Sequence, residues 1–98
     1  MSEVLTIVRT GTHTSVTLNR PDKANALAAS LVAALRAAID AAITDGTTVF
    51  TIQGNGRNFC AGFDLSSLES ETDETIIPRL MDLERMLQAI YYAPFATI

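Results

Sequence analysis

Gly54-Asn55-Gly56-Arg57-Asn58-Phe59-Cys60-Ala61-Gly62-Phe63-Asp64-Leu65 joins a β-branched run, Thr48-Val49-Phe50-Thr51-Ile52, to a segment beginning Leu65-Ser66-Ser67-Leu68. The run before it has the composition of a buried strand, and the segment after it can open a helix. Three glycines in nine residues, Gly54, Gly56 and Gly62, let the backbone turn tightly and let a ligand reach main-chain N–H groups with no Cβ in the way. A strand feeding such a loop is a place to bind something through backbone hydrogen bonds.

Upstream, Val4–Arg9 and Ser15–Leu18 read as two strands of a hairpin closed by Thr10-Gly11-Thr12-His13-Thr14. His13 falls in that loop as an exposed residue rather than a base, since no carboxylate or nucleophile stands near it in sequence. Pro21 lacks an N–H and pushes Arg20 toward extended geometry, so Asn19-Arg20-Pro21-Asp22 ends the second strand and a loop follows to about Ala26. Leu27, Leu31, Leu35, Ile39 and Ile43 then recur every four residues beside Ala34, Ala38 and Ala42, which predicts a core-packing helix over residues 28–44, closed by Asp45-Gly46.

Downstream, Pro78 suits the first turn of a second helix carrying Ile77, Leu80, Leu83, Met86, Leu87 and Ile90 at helical spacing. Tyr91-Tyr92-Ala93-Pro94 stops it, and Phe95-Ala96-Thr97-Ile98 opens another strand, in which the chain ends. The order strand, strand, helix, strand, loop, helix, strand predicts an α/β fold with crossover helices.

Ninety-eight residues suit one small domain, and a chain of that size buries only about 60 to 70% of its unfolded surface. Yet 48% of the residues are hydrophobic, more than a lone core hides, which points to an assembly or a longer chain. The net charge is −4. Its acidic surplus lies in Glu69-Ser70-Glu71-Thr72-Asp73-Glu74, read as a solvated loop. No basic patch offers a footprint for nucleic acid. One cysteine excludes an internal disulfide and fits a reducing compartment. No run reaches the roughly 18 apolar residues that span a bilayer, and Met1-Ser2-Glu3 does not open a secretory signal, so a cytoplasmic protein with no membrane partner is expected. Gly54-x-Gly56 fails as a dinucleotide fingerprint because Phe59 holds the third position, and no Gly-Lys-Ser/Thr follows to make a P-loop.

Two segments carry a family resemblance. Phe59-Cys60-Ala61-Gly62-Phe63-Asp64-Leu65 resembles the Phe-x-Ala-Gly-x-Asp-Leu segment of the crotonase (enoyl-CoA hydratase/isomerase) superfamily, and Leu18-Asn19-Arg20-Pro21-Asp22-Lys23-Ala24-Asn25-Ala26-Leu27 resembles its Leu-Asn-Arg-Pro-x-x-x-Asn-Ala-Leu. The resemblance covers the N-terminal part of such subunits. It implies a crotonase-like ββα spiral, of which residues 1–98 supply the first turn and the start of the second within a single domain.

By the same resemblance, the backbone N–H of Phe63 is one donor of an oxyanion hole that steadies a thioester enolate, with Ala61, Gly62, Asp64 and Leu65 around it. Phenylalanine in place of a small alanine at 63 implies a differently shaped acyl pocket. Lys23, Ala24 and Ala26 match the segment that approaches the adenosine end of coenzyme A; Lys23 is read either as a phosphate contact or as a solvated side chain. Asp64 has two readings, a cap for the following helix or a direct catalytic group. Ala28 stands where the family often has an N-capping serine, leaving Asn25 as the candidate cap. Cys60 packs behind the loop, and Arg57 and Asn58 face solvent. The second oxyanion donor and the acid and base carboxylates of hydratases are absent from these residues.

The implied function is hydration or double-bond isomerisation of an enoyl-CoA thioester in fatty acid metabolism. Coenzyme A enters only as part of the substrate, with no metal or redox cofactor, and a trimer or hexamer is expected. The rival reading makes this chain an inactive fragment or a pseudoenzyme used for binding or assembly.

Overall fold

The computed structural model describes residues 4–65 and 71–98. The helical turn expected to begin at Leu65-Ser66-Ser67-Leu68 lies, past Leu65, outside them. The elements, in order, are β1 (Leu5–Thr10), β2 (His13–Leu18), a 3-10 turn at Pro21–Lys23, α1 (Ala29–Thr44), β3 (Val49–Gly54), α2 (Asp73–Tyr91) and β4 (Ala96–Thr97). This is the expected α/β order, with strand and helix limits within a few residues of those read from sequence.

The four strands form one sheet in the order β1-β2-β3-β4. β1 and β2 pair antiparallel from Leu5 opposite Leu18 to Thr10 opposite His13. β2 and β3 run parallel, His13 beside Val49 and Leu18 beside Gly54, because α1 carries the chain back to the starting edge. β4 extends the sheet parallel to β3, with Ala96 beside Val49. His13 therefore opens β2 rather than sitting in the hairpin loop, and its ring stays exposed, Nε2 standing 3.0 Å from Thr51 Oγ1.

Strand β2 alternates as a half-buried strand should: Thr14, Val16 and Leu18 face inward. They meet the stripe of α1 formed by Leu31, Val32, Leu35, Ala38, Ile39 and Ala42. Phe50 of β3 is completely enclosed and its ring stacks on Phe95 at 5.3 Å between centroids. Each such side chain contributes about 1.5–3 kcal/mol on leaving water, so the core lies between the sheet and α1. The second helix adds only Met86 to the fully buried set.

Three details differ from the sequence reading. Pro78 is the sixth residue of α2 rather than part of its first turn, because the helix opens earlier, at the Thr72/Thr75 capping pair. Asn25 does not cap α1; the N-cap is Ala28, which makes no side-chain hydrogen bond there. The acidic run is not uniformly solvated: Glu71 is mostly buried against Arg79, while Asp73 and Glu74 sit in the first turn of α2.

Candidate functional site

Parallel β2 and β3 both deliver their carboxyl ends, Leu18 and Gly54, to the same edge of the sheet, the side on which open α/β sheets bind ligands. The Arg20–Ala28 loop leaves one of these ends and the glycine loop leaves the other. His13, at the opposite end of β2, takes no part.

The two loops are fastened together by one buried amide. Asn25 Oδ1 accepts the Arg20 N–H at 2.8 Å, and Asn25 Nδ2 donates to the Asn55 and Asn58 carbonyls at 3.0 and 2.8 Å. The residue is completely enclosed, so these three bonds satisfy groups that would otherwise be costly to bury. These bonds turn the Asn25 side chain to the neighbouring loop, and the N-cap position of α1 falls three residues on, at Ala28. Ala24 and Asn25 both adopt left-handed backbone, φ 52° and 57°. For alanine that conformation costs about 1–2 kcal/mol, and the surrounding bonds, Ala24 N–H to Pro21 O and Ala61 N–H to Ala24 O, hold it. Gly54 has no room for a Cβ, which would strike the Asn58 and Phe59 backbone.

Beyond Asn25 the loops run side by side as a short parallel bridge, Leu27 beside Phe63. Leu27 N–H donates to Gly62 O at 2.7 Å and Asp64 N–H donates to Leu27 O at 3.2 Å. In an extended strand a residue's own N–H and C=O share one side, and its neighbours' groups point to the other. The Gly62 carbonyl and the Asp64 N–H therefore go to Leu27, while the Phe63 N–H points away, and no hydrogen bond among the described residues uses it. Gly62, at φ +94°, makes the turn that sets this alternation. Its N–H lies 3.4 Å from Cys60 Sγ, and Cys60 packs against the core behind the loop as expected.

Two arginines clamp the bridge. Arg20 Nη1 donates to the Ala26 carbonyl and to Asp64 Oδ2, the latter at 3.1 Å, in a pair whose side chains are only 17% and 11% exposed. Asp64 thus pairs with the other loop; the capping role read for it concerns residues outside those described. From α2, Arg79 Nη1 grips both oxygens of Glu71 at 2.8 and 2.7 Å. Its Nη2 reaches Asp64 O at 3.1 Å and Leu27 O at 3.4 Å, and its guanidinium carbon lies 4.2 Å from the centre of the Phe63 ring.

Of the residues singled out from sequence, Ala24, Ala26, Ala61, Gly62, Phe63 and Asp64 come together at this bridge. Leu65 follows it with an exposed side chain, and Lys23 ends the 3-10 turn beside it, also exposed. Arg57 and Asn58 are exposed. Sequence reasoning missed Arg20, although it lies inside the quoted Leu-Asn-Arg-Pro motif, and Arg79, which has no local signal. Behind the loop an apolar cavity of about 200 Å³ is lined by Leu18, Leu27, Ile52, Cys60, Met86 and Ile90, among others. Among the described residues no three His, Cys, Asp or Glu side chains converge as metal ligands, and no helix is long and apolar enough to cross a membrane.

Comparison with known proteins gives the chain its family. Residues 13–93 match the family model described as enoyl-CoA hydratase/isomerase. A Bacillus subtilis protein, YhaR, named as an enoyl-CoA hydratase/isomerase, is 32% identical over 90% of this chain. A solved structure from Bordetella parapertussis, named likewise, superposes with a TM-score of 0.95 at 38% identity over 98% of the chain. The enoyl-CoA hydratase of Mycobacterium smegmatis superposes with 0.92 at 27% identity over 98%. The chain spans 35% of the length of the Bacillus protein and 40% and 38% of the two structures. On these matches, with the fold they share, the chain belongs to the enoyl-CoA hydratase/isomerase family, the crotonase superfamily.

Proposed function

We propose that residues 1–98 are part of a single crotonase-like domain that binds an acyl-CoA thioester and steadies its enolate at the Phe63 amide. One observation carries this: among the described residues the Phe63 N–H has no hydrogen-bond partner and is turned away from the Leu27 bridge, while the Gly62 carbonyl and the Asp64 N–H on either side are taken up by it. Making or breaking a bond beside a thioester carbonyl builds negative charge on its oxygen. A fixed N–H about 3 Å from that oxygen stabilises the charge without reorganising, and one such donor is worth about 100- to 1,000-fold in turnover.

In this reading the side chain of Phe63 does not donate; its ring shapes the acyl end. Lys23, Ala24 and Ala26 lie toward the coenzyme A end, Lys23 supplying a point charge for a phosphate. Residues outside this sequence contribute the second donor and the acid and base. Hydration of a trans-2-enoyl thioester and shift of a 3-enoyl double bond both pass through the same stabilised oxygen, in a cytoplasmic enzyme of fatty acid metabolism that assembles as a trimer or a pair of trimers. Coenzyme A is part of the substrate, and no metal or redox group takes part.

The test is turnover of crotonyl-CoA and a 3-enoyl-CoA by the full polypeptide, wild type against Phe63→Pro and Phe63→Ala. Proline deletes the N–H and is expected to lower kcat about 100-fold or more, whereas alanine keeps the N–H and retains most of it. Unchanged turnover in Phe63→Pro excludes the donor. A second reading, favoured by the exposed apolar face of α2 at Ile77, Leu80 and Leu87, makes the chain an inactive fragment or a pseudoenzyme used for assembly. An intact mass near 10.5 kDa with no companion polypeptide and no turnover supports it.

A further inference from the structure

We infer that Arg79 is a positioning residue for the Phe63 amide, an inference that rests on the function proposed above. One planar group touches Phe63 and the groups that flank its peptide. The guanidinium covers the Phe63 ring at 4.2 Å, holds the Asp64 carbonyl at 3.1 Å and reaches Leu27 O, the acceptor that already fixes Asp64 N–H. With the ring and the Asp64 carbonyl both held, rotation about the Phe63 backbone, the motion that would swing its N–H off a substrate oxygen, loses its freedom. Glu71 in turn fixes Arg79 through both carboxylate oxygens, and the two side chains are 14% and 12% exposed, so the pair is shielded from solvent.

A plain ion pair that only held α2 to the loop would require none of this geometry around one amide. Lysine could keep the charge but not the arrangement, since an ammonium cannot face a ring and grip a carboxylate bidentately while bonding two carbonyls. Arg79 touches neither substrate nor reacting atoms in this assignment; it acts through Phe63.

The experiment uses the full polypeptide with crotonyl-CoA for kinetics and 4-dimethylaminocinnamoyl-CoA as a spectroscopic probe, whose absorbance moves to the red when its thioester carbonyl accepts a stronger hydrogen bond. Arg79→Lys is expected to lower kcat by about 10- to 100-fold, the scale of a small misplacement of a catalytic group, while KM changes less than about threefold. The probe's red shift is expected to shrink in step. Glu71→Gln, which leaves every contact to Phe63 in place but loosens Arg79, is expected to show a smaller loss of the same kind, and serves where Arg79→Lys does not fold. A variant with a lowered thermal midpoint but wild-type kcat and red shift would overturn the assignment and leave Arg79 a structural residue only. Phe63→Pro run in parallel separates the premises: if it too retains full turnover, the amide itself is not the donor, and the assignment falls with it.

Discussion

The two helices of this chain are built on opposite terms. Helix α1 has no side-chain cap, no acidic residue in its first turn and Ala28 at its N-cap, yet six of its residues are buried. Helix α2 opens with a capping pair, Thr72 N–H donating to Thr75 Oγ1 at 2.9 Å, and with Asp73 and Glu74 at the positive end of its dipole. It buries only Met86, and Ile77, Leu80, Met81 and Leu87 remain between 45% and 53% exposed. Packing makes the first helix and local signals make the second. The lightly packed helix is also the one that reaches the candidate site, through Arg79, so that element's contribution is polar and directional rather than volumetric.

The largest expected effect tests the packing half of that contrast. Ile39 is completely enclosed in the α1 core, so Ile39→Ala is expected to cost about 2–5 kcal/mol through lost transfer energy and the cavity left behind. Leu87, 53% exposed on α2, is expected to tolerate the same truncation within about 0.5 kcal/mol. Urea denaturation of both variants makes the comparison. A cost at Leu87 approaching that at Ile39 would mean that the α2 face is covered in solution.

Caps give the next effect, with opposite signs on the two helices. Ala28 already has extended backbone, φ −78° and ψ 163°, so Ala28→Ser can place a hydroxyl on the unsatisfied first-turn N–H groups and is expected to add about 1 kcal/mol. Thr75→Val removes the acceptor of the Thr72 N–H and is expected to lose about 0.5–1 kcal/mol. Thermal midpoints of the two variants moving in the same direction would break the contrast.

What could be read ahead of the structure follows from how far each interaction reaches along the chain. The four-residue recurrence from Leu31 to Ile39 marks α1, and the glycines of the Gly54–Leu65 loop mark the candidate site, because both signals are local. Asn25 was legible as a loop residue but not as the fastener, since its acceptors at Asn55 and Asn58 lie 30 and 33 residues on. Nothing in the word alanine announces left-handed backbone at Ala24. The clamps were out of reach for the same reason: Arg20 meets Asp64 across 44 residues, and Arg79 meets the Asp64 carbonyl from another helix. Pro78 reads as a first-turn residue because proline favours that position, but the Thr72/Thr75 pair starts α2 before it.

The smallest effect sits at the other end of α1, where the C-cap is Asp45. A carboxylate at the negative end of a helix dipole is normally unfavourable. Here its acidity is nonetheless increased. Thr47 Oγ1–H donates to Asp45 Oδ1 at 2.6 Å and the Thr47 N–H donates at 3.0 Å, with the Arg9 guanidinium at 3.1 Å adding attraction, and together these outweigh the opposing desolvation. The folded pKa therefore lies below the ordinary value of 3.8. A group whose folded pKa is depressed stabilises the fold above its unfolded pKa and loses that contribution as pH falls through the folded value. Stability against urea is thus expected to fall below about pH 4, and Asp45→Asn, which keeps an acceptor for Thr47 but cannot titrate, should flatten that part of the profile. Salt should weaken the Arg9 share first, because both partners are partly exposed, and leave the Thr47 bonds in place. An acid limb identical in wild type and Asp45→Asn would assign the pH dependence to other carboxylates and leave α1 with packing as its whole support.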